Sequence, residues 1–330
     1  MDFNNKTILI TGGAGFIGSN LALFFQENYP DAKVVVFDTF QTNEKFENGN
    51  RKSLGHYENL IDFRGEIVAG DLNSKEDLNR LRDFKFDYIF HQAAISDTTV
   101  LDQNIMLRTN LNAFKDILQM AKEMKSSVVY ASSGATYGDA KAPQRVGVES
   151  PNNIYGFSKL AMDNLAYEWI KRESFPIVGL RYFNVYGNRE FHKGKTASMV
   201  LQFGLQILRG ENPKLFEGSD RIFRDFIYIK DVIQANIRAT NPKASGVYNV
   251  GTGEARTFQD IVDILKDDLS IDFTPEYIPN PYKNQYQFFT QADIEPTREF
   301  LGYAPEFTLE AGIGNYTPDI RAIFKKKFQE

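Results

Sequence analysis

A tyrosine and a lysine four positions apart, Tyr155 and Lys159, are the residues of this chain best suited to acid–base chemistry. Side chains at this spacing lie on one face of a helix, and the sequence predicts a helix beginning near Asn153. A phenol has a pKa of about 10, which is too high for a base at neutral pH. An ammonium group on the next helical turn would stabilise the phenolate and lower that pKa.

A hydroxyl group would complete this apparatus. Ser133 and Thr136 follow an apolar run, 128–131, that predicts a strand, so either side chain could hold a reacting oxygen. Such a set suits removal of a proton from an alcohol while a hydride leaves to a cofactor. A Tyr-x-x-x-Lys match alone is also typical of a surface tyrosine beside a solvated lysine. The interpretation therefore depends on the elements around it.

The beginning of the chain supplies that context. The run Ile8–Ile10 predicts a buried strand, and Gly12, Gly15 and Gly18 follow before apolar residues at helical spacing. Strand, Gly-x-x-Gly-x-x-Gly turn and helix indicate a dinucleotide site, because the helix N-terminus favours a pyrophosphate. The alternative is a glycine-rich turn without a ligand. An oxidised nicotinamide near Tyr155 would help to lower its pKa.

The choice of dinucleotide stays open at this stage. Asp38 ends the second apolar run, 20 residues after Gly18, where an acid can bond a ribose 2′-hydroxyl. That position favours NAD over NADP, whereas Lys45 could offset the charge of a 2′-phosphate. Asp71 follows the third strand and could contact adenine or hold an ordinary turn. The small side chains of Gln92–Ser96, after the fourth strand, would let backbone lie against a cofactor.

Strands alternate with helices through the first half of the chain, which predicts a Rossmann-like, doubly wound parallel α/β sheet. Residues 1–183, with 231–257 returning to the sheet, are expected to form the dinucleotide-binding domain. Residues 184–230 and 258–330 are expected to form a smaller, interleaved α/β substrate-binding lobe. Ligands of such sheets bind beyond the carboxyl ends of the strands. Within the apolar fourth strand, His91 is expected to be a core residue rather than a catalyst.

Composition excludes several classes of protein. The 330 residues carry a net charge of −5, which argues against a general nucleic-acid surface. Apolar runs fall short of the ~20 residues that span a bilayer. A strand beginning at residue 7 leaves no room for a signal peptide, so a cytoplasmic location is expected. The lack of cysteine excludes thiol catalysis, and the three histidines do not suggest a metal site.

These motifs resemble the extended short-chain dehydrogenase/reductase family over nearly the whole chain. The matching segments are Thr11–Gly18, Tyr155–Lys159, Arg181–Gly187 and Arg224–Tyr228. Members of this family include sugar-nucleotide epimerases, 4,6-dehydratases and decarboxylases. The dehydratases carry an Asp-Glu pair where this chain has Tyr137 and Gly138, and that departure counts against dehydration.

Further segments are similar to the narrower family of ADP-glycero-manno-heptose 6-epimerases, namely Ala131–Gly138, Arg189–Gly194, Pro213–Ser219 and Tyr286–Asp293. The resemblance implies inversion of C6 in an ADP-linked heptose, by transient oxidation with bound NADP and hydride return. It implies Tyr155 and Lys193 as the acid–base pair, a homo-oligomer, and a role in lipopolysaccharide core synthesis. Without the resemblance, Lys193 is equally well a loop lysine or a phosphate ligand.

The expected site residues fall into three groups. Catalysis is assigned to Tyr155, Lys193, Lys159 and Ser133. The expected cofactor contacts are Gly12, Gly15, Phe16, Ile17, Gly18, Asp38, Thr39, Lys45, Asp71, Gln92, Ala93, Ala94, Ile95, Ser96, Asn110, Lys159, Val185 and Lys193. The expected substrate contacts are Asn184, Lys195, Gln202, Phe216, Glu217, Gly218, Ser219, Arg224 and Tyr286. Lys195-Thr196 departs from the Ser-Met that is common in the narrower family.

Two alternatives to a heptose epimerase are a UDP-hexose 4-epimerase with the same machinery and a catalytically silent dinucleotide-binding regulatory protein. The presence of Ser133, Tyr155 and Lys159 argues against the silent protein. Arg224 is expected to grip a diphosphate through its two-pronged guanidinium. Its alternative is a structural ion pair with Asp225.

Overall fold

The computed structural model describes residues 1–280 and 288–329 of the chain. Seven parallel strands form its central sheet, and three pairs of short strands lie outside that sheet. The strands are β1 (Thr7–Thr11), β2 (Lys33–Asp38), β3 (Glu66–Ala69), β4 (Tyr88–His91), β5 (Ser127–Ser133), β6 (Ile177–Tyr182), β7 (Asn184–Tyr186), β8 (Lys214–Phe216), β9 (Phe223–Arg224), β10 (Phe226–Tyr228), β11 (Gly246–Val250), β12 (Arg256–Thr257) and β13 (Glu276–Ile278).

The helices connect the strands of the sheet and form most of the C-terminal part. They are α1 (Phe16–Asn28), α2 (Lys75–Leu81), α3 (Gln103–Leu107), α4 (Ala113–Met124), α5 (Ile154–Ile170), α6 (Met199–Leu208), α7 (Ile229–Ala239), α8 (Phe258–Leu269), α9 (Glu295–Leu301) and α10 (Leu309–Phe324). Short 3-10 turns cover 57–60, 82–84, 134–137, 191–196 and 219–221, and π-turns cover 108–112 and 325–329. Within the described residues, none of these helices combines the length and apolar character needed to cross a membrane.

The sheet has the order β11-β6-β5-β4-β1-β2-β3, and every neighbouring pair is parallel. Its strands are apolar on both faces, because the helices cover both sides. In β1, Ile8 and Ile10 pack into one hydrophobic cluster, and Leu9, on the opposite face of the strand, packs into a second cluster. The predicted Rossmann-like, doubly wound parallel α/β fold is therefore confirmed.

The chain changes direction across the sheet between β1 and β4, which are neighbours with parallel register. Such a switch point opens a crevice at the carboxyl ends of the strands, where ligands of this fold bind. His91, at the end of β4, is fully buried, and its Nδ1 lies 2.8 Å from Thr11 Oγ1. Burial lowers the pKa of His91 to about 3, so the ring is a neutral part of the core.

The strands of the three short pairs come after β6 in sequence, and four of them precede β11. β7 pairs in parallel with β10, β8 with β13, and β9 is antiparallel to β12. The alternation of side chains over 224–229 predicts a single strand, but this prediction is wrong, because β9 ends at Arg224 and β10 begins at Phe226. Between them, Asp225 accepts hydrogen bonds from Thr252 N at 2.7 Å and Ala292 N at 3.0 Å. This carboxylate interrupts the strand by binding two other segments.

Candidate active site

Tyr155 and Lys159 lie on α5, whose first turn is capped by Asn153, with Oδ1 accepting from Gly156 N at 2.8 Å. The Lys159 side chain is buried, and its Nζ donates to Ala131 O at 2.7 Å. Nζ lies 6.0 Å from the centroid of the Tyr155 ring. The lysine is therefore fixed between its own helix and strand β5, one helical turn behind the tyrosine.

Ser133 ends strand β5, close enough to Tyr155 for its side chain to lower the pKa of the phenol. Ser133 Oγ also accepts from Ala135 N at 3.1 Å, which caps the turn over 134–137. Thr136, the other hydroxyl that the sequence offers, is fully buried and donates to Ser133 O at 2.9 Å. The structure therefore brings Ser133 to the tyrosine, while Thr136 supports the turn.

Burial governs protonation at this position. It raises the pKa of Tyr155, and the hydrogen bond with Ser133 opposes that rise only in part. It lowers the pKa of Lys159 to about 8, against the attraction of the Asp163 carboxylate. The expected lowering of the Tyr155 pKa by Lys159 together with an oxidised nicotinamide stays a prediction, because in the protein alone that pKa is raised. Desolvation of the phenolate outweighs an ammonium group 6.0 Å from the ring.

A buried charge network that the sequence analysis missed joins α5 to strands β5 and β6. The Asp163 carboxylate accepts hydrogen bonds from Tyr130 Oη at 2.8 Å and Ser132 Oγ at 2.9 Å. The Arg181 guanidinium donates to it from Nε at 2.9 Å and also pairs with Glu149. Asp163 and Arg181 are both fully buried. Each charge is therefore compensated where water cannot reach it.

The glycine-rich turn occupies the switch point of the sheet. Gly12 has φ +68°, and a Cβ there would lie 2.7 Å from Ala93 N. A Cβ at Gly18 would lie 2.2 Å from Gly12 O, so the start of α1 packs directly on the turn. The N-cap of α1 is Gly15, and its first turn, which includes Phe16 and Ile17, carries no acidic residue. A helix start of this kind fits a pyrophosphate.

Asp38, at the end of β2, braces this turn. Its Oδ2 accepts from Ala14 N at 3.0 Å and its Oδ1 from Phe40 N at 2.8 Å. Burial raises the pKa of Asp38, although these hydrogen bonds act in the opposite direction. Gly55 covers the carboxylate, since a Cβ at Gly55 would lie 2.2 Å from Asp38 Oδ1. The expected contact with a ribose 2′-hydroxyl stays a prediction.

Three other predicted cofactor residues, Thr39, Lys45 and Asp71, lie at the exposed edge beyond β2 and β3. Lys45 forms an isolated antiparallel bridge with Arg51. Asp71 Oδ1 accepts from Asn73 N at 2.8 Å, as an ordinary turn aspartate does. Their contacts with a cofactor stay predictions.

The segment after β4 is held by hydrogen bonds to Asn236 and Asn110. Gln92 donates to Asn236 Oδ1 at 3.1 Å, and Ala94 and Ser96 retain exposed surface. Asn110 is fully buried; its Oδ1 accepts from Ile95 N at 2.8 Å, and its Nδ2 donates to Ser158 Oγ at 3.0 Å. This predicted cofactor residue therefore ties the segment after β4 to α5.

Lys193 comes from a different part of the chain, the turn over 191–196. Its Nζ lies 5.3 Å from the centroid of the Phe16 ring, at the first residue of α1. Burial lowers the pKa of Lys193, while the carboxylate of Glu190 opposes that shift. Glu190 is itself buried and accepts from Ser198 N at 2.6 Å and Ser198 Oγ at 2.7 Å. The structure thus places a second, partly buried lysine beside the glycine-rich turn.

The predicted substrate segment 216–219 ends in a buried hydroxyl. Ser219 is 2% exposed, and its Oγ has no hydrogen-bond partner among the described residues. An unpaired buried hydroxyl costs free energy, so an added donor or acceptor would stabilise it. Phe216 and Gly218 are partly buried, and Glu217 is exposed.

The other predicted substrate residues lie on separate elements. Asn184 begins β7 and is exposed, and Val185, a predicted cofactor contact, follows it. Lys195 is exposed, and Gln202 on α6 donates to Ala197 O at 2.7 Å. Tyr286 lies outside the described residues.

Arg224 is 7% exposed and donates from Nη1 to Phe223 O at 2.8 Å. Its neighbour Asp225 accepts hydrogen bonds from the backbone of Thr252, Gly253 and Ala292. That carboxylate is therefore engaged by loop backbone, which argues against the structural ion pair as the main role of Arg224.

Fold and site together define an extended short-chain dehydrogenase/reductase, as the sequence motifs predict. The model of the NAD dependent epimerase/dehydratase family matches residues 8–251. The chain therefore belongs to that family of enzymes.

The chain is also similar to individual epimerases of known structure. The chain is 53% identical to the ADP-L-glycero-D-manno-heptose-6-epimerase of Helicobacter pylori, over 97% of this chain and 98% of that one, with a TM-score of 0.89. It is 27% identical to the UDP-glucose 4-epimerase of Thermotoga maritima, solved with UDP-glucose, over 96% and 99%, with a TM-score of 0.85. The UDP-glucose 4-epimerase of Thermus thermophilus, solved with NAD, is also 27% identical over 96% and 99%, with a TM-score of 0.81.

Proposed function

We propose that this protein inverts C6 of the heptose in ADP-D-glycero-D-manno-heptose to give ADP-L-glycero-D-manno-heptose. The observation that carries the proposal is 53% identity to a heptose 6-epimerase over 97% of the chain. Two lysines from different segments support it: Lys159 lies beside Tyr155, and Lys193 lies beside Phe16. Inversion of an alcohol carbon needs proton transfer on two faces, and this arrangement offers a group for each.

The cofactor of this proposal is NADP, with NAD as the alternative. The turn Gly12–Gly18 would hold the pyrophosphate, and Lys45 would contact a 2′-phosphate. Bound nicotinamide supplies a reversible hydride acceptor, so C6 is transiently oxidised and then reduced. The buried Asp38 carboxylate already accepts hydrogen bonds from Ala14 and Phe40, so less of its accepting capacity remains for the ribose 2′-hydroxyl of NAD. Acid release of the bound cofactor and its mass distinguish NADP from NAD.

Tyr155 exchanges the proton of the C6 hydroxyl in one epimer. Ser133 would hold the same oxygen, and its side chain already acts on the phenol by lowering its pKa. Because burial raises the pKa of Tyr155, the phenolate needs a nearby positive charge. Lys159, with a pKa of about 8, retains its charge at neutral pH and supplies it.

Lys193 exchanges the proton of the other epimer. One base cannot serve both, because proton transfer needs a contact of about 2.6–3.2 Å and the oxygen changes sides. Burial lowers the pKa of Lys193, which is the direction that a base requires, while the Glu190 carboxylate opposes that shift. The two lysines thus have different tasks, one electrostatic and one acid–base.

The nucleotide part of the substrate is assigned to residues 184–230 and 258–330, with 231–257 completing the sheet. Arg224 would grip the diphosphate, and the unpaired Ser219 hydroxyl would bond the nucleotide or sugar. Asn184, Lys195, Gln202, Phe216, Glu217 and Gly218 are proposed to line the same cavity. A homo-oligomer is also part of the proposal.

A UDP-hexose 4-epimerase is the second candidate, favoured by 27% identity to such enzymes. Incubating the purified protein with ADP-heptose and, separately, with UDP-galactose tests both without added cofactor. We expect epimerisation of ADP-heptose alone. Conversion of UDP-galactose alone would replace the proposal with the second candidate, and no conversion of either would support a silent binding protein.

A further inference from the structure

Two of the histidines, His56 and His192, stack face to face at the rim of the candidate site. Their ring centroids are 3.5 Å apart, and their planes differ by 4°. His56 precedes the turn over 57–60, and His192 immediately precedes Lys193. Burial lowers the pKa of both rings, that of His192 to about 4, so they face each other uncharged at neutral pH.

His56 is tied to the glycine-rich turn through its backbone. His56 N donates to Ala14 O at 3.0 Å, and Asn59 Nδ2 donates to the same oxygen at 3.0 Å. Ala14 N in turn donates to Asp38. An unbroken set of contacts therefore runs from the turn, through Ala14 and His56, to His192 and the next residue, Lys193.

Glu58 links the segment of His56 to two lysines near the C-terminal end of the chain. Its carboxylate accepts from Lys326 Nζ at 2.8 Å and Lys327 Nζ at 2.7 Å. Those ammonium groups lower the pKa of Glu58 to about 2, so its charge persists at neutral pH. Lys327 Nζ also lies 5.8 Å from the centroid of the Phe191 ring, beside His192. The segment before Lys193 is thus held from two directions.

The same side chains of His56, Glu58 and His192 bring possible ligand atoms within 4.8 Å of one another. A metal ion is nevertheless a poor occupant. Glu58 already has two ammonium partners. Face-to-face rings also direct their in-plane lone pairs along parallel planes instead of towards one point. The contacts therefore indicate packing rather than coordination.

We propose that the stack of His56 on His192 is a clamp that positions Lys193 relative to the glycine-rich turn. Lys193 itself lies in the short turn over 191–196, which Gly194 interrupts at φ +57°, so local helix geometry does little to fix it. The clamp makes the position of the lysine follow that of the turn. The effect of the clamp on turnover rests on the proposed function, whereas its effect on the order of residues 191–196 does not.

Three variants test the clamp. His56→Ala removes the ring, His56→Phe keeps a flat ring, and Ile61→Ala alters an exposed side chain of the same segment. Hydrogen exchange of the backbone amides in 191–196 is measured on the full-length protein. We expect exchange about 2- to 10-fold faster in His56→Ala, the scale of one lost ring pair, and near wild type in the other two. Should His56→Ala fail to fold, His56→Gln takes its place.

Activity provides the second readout. Misplacement of Lys193 should lower kcat for ADP-heptose by about 10- to 100-fold in His56→Ala and leave its KM nearly unchanged. His56→Phe should recover most of that loss. Unchanged exchange in His56→Ala, or His56→Phe as impaired as His56→Ala, would overturn the clamp. An inactive wild type with faster exchange in His56→Ala would instead overturn the proposed function and leave the clamp in place.

Discussion

Lys159, which is buried, and Lys193, which is partly buried, each lie near a carboxylate, but the chain supports them in different ways. Lys159 lies inside the regular helix α5, four residues from its acid, Asp163, and bonds to strand β5. Lys193 lies in a short turn, three residues from Glu190, and is held through contacts with other segments. The first position follows from local geometry, and the second depends on tertiary structure.

This difference explains why only one lysine could be assigned from residue spacing. The four-residue interval between Tyr155 and Lys159 is a property of any helix. The approach of Lys193 to Phe16 joins residues that are 177 positions apart. No periodicity encodes such a contact, so only the resemblance to a family could suggest it.

The largest expected effect comes from Tyr155→Phe, on the helix that also carries Lys159. Loss of the phenol proton should lower the rate of ADP-heptose epimerisation by about 10²–10⁴-fold, the usual contribution of an acid–base group. The ring remains, so folding and cofactor content should match the wild type. Tyr57→Phe, at a tyrosine that is 64% exposed, serves as the control. A Tyr155→Phe variant with wild-type turnover would remove the tyrosine from the mechanism.

Lys193→Met tests the lysine whose position depends on tertiary structure. We expect a loss of turnover of about 10²-fold or more, because one of the two proton transfers lacks its group. The methionine fills similar volume beside Phe16, so the fold should persist. Lys171→Met, at an exposed lysine, is the matched control. Full activity of Lys193→Met would return this residue to the role of a loop lysine.

Arg224→Ala should have a smaller effect, confined to binding. Loss of a charged hydrogen bond to the diphosphate should weaken substrate binding by about 1.5–3 kcal/mol. The KM for ADP-heptose should rise accordingly, while cofactor content stays unchanged. Because Arg224 is nearly buried, thermal unfolding of the variant is measured in parallel. An unaltered KM in a folded variant would exclude Arg224 from the site.

The smallest effect is the dependence of stability on pH at Lys159. Its pKa is about 8 in the folded protein and 10.5 in the reference state, so the unfolded chain binds more protons between these values. The free energy of unfolding should therefore rise with pH over this window in the wild type relative to Lys159→Met. Denaturant titrations at pH 8 and pH 10 measure it. A relative fall would show that the buried lysine is not destabilised in its charged form.

Much of the fold follows from patterns that the sequence displays. The glycine-rich turn, the alternation of strands and helices, and the Ser74 cap of α2 depend on neighbouring residues. Ser74 stands three residues before Asp77, a spacing that predicts a helix cap, and its Oγ accepts from Asp77 N at 3.2 Å. The break at Asp225 escaped prediction because its carboxylate binds residues 252 and 292, far along the chain.

The candidate site was predictable to a lesser degree. The choice of Ser133 over Thr136 depends on the hydrogen bonds of the turn over 134–137. Thr136 donates its hydroxyl proton to the backbone there, whereas Ser133 only accepts a bond from Ala135 N. Asp163 carried a signal, since it lies four residues after Lys159 on the same helix. The raised pKa of Tyr155 and the engagement of the Asp38 carboxylate arise from burial, which residue spacing does not reveal.

The central claim is that C6 is inverted by internal hydride return, with Tyr155 and Lys193 moving only hydroxyl protons. Turnover of ADP-heptose in deuterated water, followed by NMR and mass analysis of the product, tests it most directly. The account predicts an inverted product with no deuterium on C6, because the hydrogen on that carbon never meets solvent. Deuterium on C6 would contradict it and indicate direct deprotonation of the carbon.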